Sequence, residues 1–404
     1  MRGGINLATK NIISQGLGTI IVLGFTVIGT RLLSVADYGE LRLVMTVLPL
    51  LMAFSLPGFD SLILRNSSSR IKIPLLRIFG TRVTAASIGS LGILLYLYMN
   101  YREVSDTLVF FLLTTAALLP FFETATGYRN YLIGRGLEKQ GIDLQLQAKF
   151  IGIVLALFCF GLITITDIEA QWIFPAWMLA TIIPTVATFI RVALKREDGW
   201  VRQRKGAGKL NIAEAAIATT AGLVFTLSFS LDKLWVRSEL GAEQLALYAI
   251  LIMGPQEITK LFDSTIPIFY RKLFISKSRI SMLQKMQAIS LLLLVMGSYT
   301  LGFHALSGFV FGEAYTYPFH LVLLSSLLIP GLAVEYFNSH RTFAYYGASA
   351  TFYYSLCSLA TTTTAVVVAL TQGHVAELIV ALVFKQLTLP FLFLFFYRKI
   401  CHAI

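Results

Sequence analysis

Long apolar runs broken by short polar turns fill the chain, and their length sets the first expectation. A helix needs roughly 20 residues to cross the hydrocarbon of a bilayer. By that measure about twelve spans are predicted, near 11–33, 41–63, 78–99, 106–127, 147–166, 171–193, 211–231, 245–269, 286–310, 319–338, 350–370 and 375–397. The expected fold is an all-α polytopic membrane protein. The run from Asn11 to Leu33 reads as a retained span, because no small-residue cleavage site follows a short apolar core.

One run departs from the pattern. Leu245 to Tyr270 is apolar at both ends, yet carries Glu257, Lys260 and Asp263 in its middle. An ionisable group at membrane depth costs at least about 2.5–3.5 kcal/mol, so it faces protein or a water-filled cavity. At about 100° per residue the three positions share one third of a helix face. Pro255 and Pro267 interrupt the backbone ladder on both sides of it, which a bundle tolerates where neighbours or water satisfy the freed groups. Two readings stand: a polar wall lining a transport cavity, or a lysine neutralised in place by two acids three residues away.

The prolines show a second regularity. Pro49, Pro57, Pro120, Pro175, Pro184, Pro255, Pro267, Pro318, Pro330 and Pro390 fall in or at even-numbered spans, and only Pro74 lies in a loop. The helices running in one direction are therefore expected to be the kinked ones. The longest polar loop, 194–210, separates six spans from six. Its charge and its Gly206 and Gly208 suit a linker between an N-lobe, 1–200, and a C-lobe, 201–404. Halves of this kind with the substrate site between them are a common plan of secondary transporters.

Composition narrows the class. The 404 residues are 56% hydrophobic and 13% charged, about half the charged fraction of a soluble domain. Net charge is +12, but the bases sit in short loops, where an anionic phospholipid surface and not nucleic acid is the natural partner. Of the 33 Lys and Arg, 26 fall on the side of the N-terminus, including Arg65, Arg77, Arg82, Arg129 and Lys149. Five fall on the other side: Arg31, Arg42, Arg102, Lys233 and Arg237. Cytoplasmic loops are the positive ones, so both termini are expected in the cytoplasm. Cys159, Cys357 and Cys401 read as packing residues with no disulfide framework.

Catalysis finds little support. The five histidines are scattered without ligand spacing, so no metal site is readable, and no Walker-type phosphate loop occurs. The polar residues inside spans are the informative set. Arg31, at the end of span 1, either snorkels to headgroups or grips a phosphate bidentately. Asp232 and Lys233 close span 7, where they read as a polar pair at the interface or as part of a cavity. Asp60 lies near Arg65, and Glu123 near Arg129. Lys385 and Gln386 sit in span 12, with Glu335, Glu377 and Asp263 as possible partners for the lysine. Gln15, Glu214 and Glu335 are equally readable as helix–helix contacts. Tyr336, Tyr345, Tyr346, Tyr353 and Tyr354 and the Thr361–Thr364 run read as interface residues before sugar-stacking ones.

The short motifs Asn11-Ile-Ile-Ser-Gln15, Thr30-Arg31-Leu-Leu-Ser34 and Asp37-Tyr38-Gly39 resemble those of the Wzx-type polysaccharide flippases of the MOP superfamily. Ser230-Leu-Asp232-Lys233, Leu240-Gly241 and Tyr248 extend the likeness into the second half. Ser34 departs from the usual Gly, and the additional C-terminal helices of lipid II flippases are missing. The resemblance implies two six-helix lobes in a V around a cationic cavity. It implies a flippase of undecaprenyl-pyrophosphate-linked oligosaccharide in the bacterial inner membrane, serving O-antigen or other surface polysaccharide. A polysaccharide polymerase and a chain-length regulator are the implied partners. The expected cavity residues are Arg31, Lys260, Lys385, Arg129 and Gln15. The expected coupling residues are Glu257, Asp263 and Asp232, with Na⁺ or H⁺ as coupling ion and no other cofactor. A MATE-like exporter of organic cations is the alternative within transport, and a membrane glycan polymerase or ligase the alternative within enzymes.

Overall fold

With no water inside a bilayer to satisfy peptide groups, apolar segments of this length close their hydrogen bonds within themselves. A computed structural model describes residues 2–60, 63, 75–166, 168–194, 212–270, 282–370 and 374–401, and no strand occurs among them. The helices are α1 (Arg2–Leu32), α2 (Val35–Leu51), α3 (Leu75–Asn100), α4 (Asp106–Leu118), α5 (Gly127–Gly134), α6 (Glu138–Ile165) and α7 (Ile173–Leu194). They continue with α8 (Ile212–Ser228), α9 (Leu231–Tyr270), α10 (Met282–Phe311), α11 (Phe319–Ser326), α12 (Leu328–Leu370) and α13 (Val375–Cys401). Among the described residues eight stretches are long and apolar enough to cross a membrane, with Gly16–Leu32 and Asp106–Leu118 as shorter apolar helices.

Two of the long helices fold back on themselves. In α9 the Tyr248 hydroxyl donates to Asp232 at 2.5 Å. Sixteen residues of straight helix would part them by about 24 Å. The reversal lies at Gly241, whose φ of 88° is open to glycine and strained for other residues. In α12 the Ser358 hydroxyl donates to Glu335 at 2.5 Å and the Tyr354 hydroxyl to the Glu335 carbonyl at 3.2 Å. A straight helix would separate Glu335 from Tyr354 by about 29 Å, so the chain turns back between them. With these two reversals the helices follow the predicted succession of spans. The protein is an all-α, polytopic membrane protein.

Two of the even-numbered spans break near their prolines, whereas α7, α9 and α13 run on through Pro184, Pro255 and Pro390. Span 2 leaves α2 for a 3-10 turn, Met52–Ser55, and Leu56 at φ 55° just before Pro57. Span 4 unwinds after Leu118, before Pro120, and Glu123 adopts φ 61°. Pro255 lies within α9, where its ring denies a hydrogen bond to the Leu251 carbonyl four residues back. The Tyr299 hydroxyl of α10 supplies that bond at 3.0 Å, so a neighbouring helix satisfies the group that the proline frees.

The chain forms two compact units: residues 1–33 with 47–223, and residues 34–46 with 224–404. Thus α2 and α8 each begin in one unit and end in the other. Aromatic rings fill the first unit, where Trp177 lies 5.2 Å from Phe25 and 5.7 Å from Phe122. A second cluster gathers Ile63, Ile78, Tyr128, Leu132 and Phe189. In the second unit, buried Leu245, Tyr248, Ala249 and Ile252 place the start of span 8 in the core.

Candidate functional site

The polar centre of the second unit is built on Glu335, 1% exposed, two turns after the start of α12. A carboxylate so deep needs several donors. It receives Lys385 Nζ at 3.3 and 3.4 Å, Gln386 Nε2 at 2.8 Å and the Ser358 hydroxyl at 2.5 Å. Ser358 Oγ in turn lies 3.0 Å from Ser228 Oγ on α8. The Lys385 ammonium also lies 5.2 Å from the centre of the Phe229 ring, a cation–π contact that strengthens on desolvation. Tyr336 stacks on Phe229 at 5.7 Å and 14°.

Beside this network lies a cavity of about 30 Å³, lined by Asp232, Tyr248, Gln256, Lys385 and Gln386 among others. That is space for about two water molecules. Asp232 Oδ1 and Gln386 Oε1 line it as buried acceptors with no hydrogen-bond partner among the described residues. Asp232 accepts from Tyr248 through its other oxygen, and its Oδ1 lies 3.6 Å from Lys233. Two buried oxygens without a hydrogen bond, one of them in an ion pair with Lys233, belong to residues lining one small cavity, which suits a water or a small cation.

The acids and bases of this unit pair off. Lys260 bonds Glu257 at 2.6 Å, His340 bonds Asp263 at 2.8 Å, and Arg237 grips Glu40 at 2.5 and 3.3 Å. The Lys260 side chain is 56% exposed, whereas Glu257 is buried. The lysine of the Leu245–Tyr270 run is thus neutralised by a neighbouring acid, as one of the two readings has it, and its side chain is the exposed end of the pair.

In the first unit Arg82, 2% exposed, plays the central part. Its Nε donates to the Ser55 carbonyl at 2.7 Å, Nη1 to Asp60 at 2.9 Å and Nη2 to the Glu123 carbonyl at 3.2 Å. One guanidinium thus serves the backbone at the breaks of spans 2 and 4. Lys149 of α6 likewise donates to the Ser14 carbonyl of α1 at 2.9 Å.

Several expectations need correction. Arg82, counted among the bases on the N-terminal side, is not an exposed base: three of its donors meet acceptors inside the bundle. It is also the partner of Asp60, while Arg65 lies outside the described residues. Asp232 and Lys233 are both buried and not interfacial, because the hairpin of α9 folds over them. Tyr354 is fully buried on the Glu335 carbonyl, and Tyr336 stacks in the core, so neither belongs to an interface. The hydroxyls of Thr361 to Thr364 bond back to carbonyls of their own helix.

The candidate cavity residues are spread over both units. Arg31 is exposed near the end of α1, and Lys385 is buried on Glu335. The side chains of Gln15 and Glu214 lie outside the described residues. Arg129 lies on α5, between apolar stretches. Burial holds its guanidinium below the ordinary value and pushes the adjacent Tyr128 phenol up to about 12. Asp232 lines the cavity beside Lys385, whereas Glu257 and Asp263 occupy separate pairs. Glu335 and Arg82 organise the two polar centres; the sequence offers Glu335 as one of three possible partners of Lys385 and gives Arg82 no such place. Their signal was present, since each is an ionisable residue within or beside an apolar run.

No protein-family model and no curated protein matches the chain. Solved structures do. A MATE transporter in complex with MaD5 aligns at TM-score 0.65 and 15% identity, over 99% of this chain and 96% of its own. The outward-facing form of a multidrug resistance MATE family transporter of the MOP superfamily aligns at 0.61 and 15%, over 99% and 95%. A MOP superfamily transporter from Pyrococcus furiosus, described by the reverse polarity of its binding pocket, aligns at 0.62 and 15%, again over 99% and 95%. The chain thus has, along its whole length, the fold of the MOP-superfamily transporters.

Proposed function

We propose that the protein is a secondary-type transporter that moves its cargo by alternating access, with no catalytic step. The single observation behind this reading is the whole-length fold likeness to MATE and other MOP transporters. A cavity holding the unpartnered Asp232 Oδ1 adds a place for a coupling Na⁺ or H⁺. The fold likeness favours an ion-coupled exporter of small molecules, as the multidrug neighbours are. The bacterial inner membrane with cytoplasmic termini, inferred from the loop charges, is part of the same proposal.

A second cargo has its own support. An exporter of organic cations calls for an acidic cavity, yet Asp232, Glu257, Asp263 and Glu335 each have a basic partner and Lys260 stays open. One MOP neighbour is itself described as having a pocket of reverse polarity and a different function. Acids neutralised in this way count against a cationic cargo, and for an anionic one undecaprenyl-pyrophosphate-linked oligosaccharide is the flippase reading. Proteoliposomes separate the two. Ion-driven export of a cationic dye, lowered at least about tenfold by Asp232→Asn, establishes the exporter. Inward-to-outward movement of lipid-linked oligosaccharide, lost in Lys260→Ala with dye export absent, establishes the flippase. If neither cargo moves under an imposed Na⁺ or H⁺ gradient, the transport reading fails.

A further inference from the structure

One buried cation of the second unit has no counter-charge. Arg42, on the first turns of α2, is 8% exposed, enters no ion pair among the described residues, and its Nε has no hydrogen-bond partner. Its place is tightly set. At one end Gly39 packs on the backbone of Ala242, so closely that a Cβ would overlap the Ala242 carbonyl. At the other end Ser230 Oγ donates to the Thr46 carbonyl at 3.4 Å. Between these contacts lie Arg42 and Lys233, near enough for their like charges to act on one another. The acids at hand are engaged: Glu40 by two bonds from Arg237, and Asp232 by Tyr248 and Lys233. The cluster of Arg42, Lys233, Lys260, Asp232 and Glu257 therefore holds one more base than acid.

An unpaired buried charge is strongly destabilising unless something compensates it. We propose that Arg42 and Lys233 form an anion site in the second unit that takes a phosphoryl group, from a lipid headgroup or from a soluble phosphate compound. The chemistry follows from the donors. A guanidinium presents its N–H groups as a planar fork matching two phosphoryl oxygens, and a lysine adds a point charge beside it. The proposal does not rest on either cargo reading, since the surplus charge is there whichever cargo moves.

The test uses the full chain in nanodiscs and reads thermal unfolding. In the first arm the discs are phosphatidylcholine, and inorganic pyrophosphate is titrated against gluconate at equal ionic strength. In the second arm pyrophosphate is absent and phosphatidylglycerol replaces part of the phosphatidylcholine. A saturable rise in Tm in the first arm identifies a soluble phosphate compound as source, and a rise only in the second identifies a lipid headgroup. In the responding arm Arg42→Gln weakens the apparent affinity by about tenfold or more, and Arg42→Lys, which keeps the charge without the fork, falls between. No rise in either arm, or a rise in Arg42→Gln equal to that of the unaltered protein, overturns the site. Should Arg42→Gln not fold, calorimetric titration of the unaltered protein with pyrophosphate, and with a soluble short-chain phosphatidylglycerol, decides. Absence of saturable heat with both overturns the proposal.

Discussion

Arg82 in the first unit and Glu335 in the second face the same problem and solve it oppositely. Each is a charged group inside an apolar bundle, at 2% and 1% exposure. Arg82 spends most of its donors on backbone carbonyls at two helix breaks. Those acceptors are set by the path of the main chain, so the arrangement admits one geometry. Glu335 gathers side chains instead: Lys385, Gln386 and Ser358. Side chains change rotamer and protonation without refolding a helix. The first centre therefore holds broken helices in place, and the second is held by side chains that can change rotamer. The small cavity with its unpartnered Asp232 oxygen adjoins only the second.

The sharpest way to break this comparison is Arg82→Ala, which strands the Asp60 carboxylate and two buried carbonyls. A loss of about 3–5 kcal/mol is expected in detergent unfolding, with Arg82→Lys failing to restore it because a lysine lacks the fork. An unchanged unfolding midpoint for Arg82→Ala removes its structural role.

A double-mutant cycle across Glu335 and Lys385 comes next. Glu335→Gln and Lys385→Met each leave one buried charge unpaired, while the double variant leaves neither. The coupling energy is expected to reach about 2–3 kcal/mol, with stability largely recovered in the pair and ion-driven transport not recovered. Simple additivity would mean that the two groups do not act as a unit.

A smaller effect is expected at Tyr299→Phe, which leaves the carbonyl freed by Pro255 without its donor. The cost is about 1–3 kcal/mol, and it shows that the second unit repairs backbone as well when a proline demands it. Smallest is Lys260→Ala: the lysine end of its pair is open to solvent, and the stability change should be about 1 kcal/mol. A larger loss would move Lys260 from the mobile wall to the structural frame.

How far the chain could be read from its letters differs from element to element. The run Leu245–Tyr270 announces itself because charges among apolar residues are costly wherever the helix lies, and Lys260 meets Glu257 one turn away. Asp60 with Arg82 and Glu335 with Lys385 lie 22 and 50 residues apart. No local spacing links such partners, so Arg82 counts only among the bases on the N-terminal side and Lys385 has three possible acids.

By itself the sequence determined the helical, polytopic class, the succession of spans and the positions of the breaks. Those follow from properties local to a segment: the length of an apolar run, and a proline's missing N–H. Only the tertiary structure decided which charge meets which, that Tyr354 and Tyr336 are core residues, and that Asp232 and Lys233 are buried. It alone revealed that Arg42 is buried without an ion pair among the described residues. Burial and pairing belong to helices brought together from distant parts of the chain, where the cost of an unmet polar group selects the neighbour.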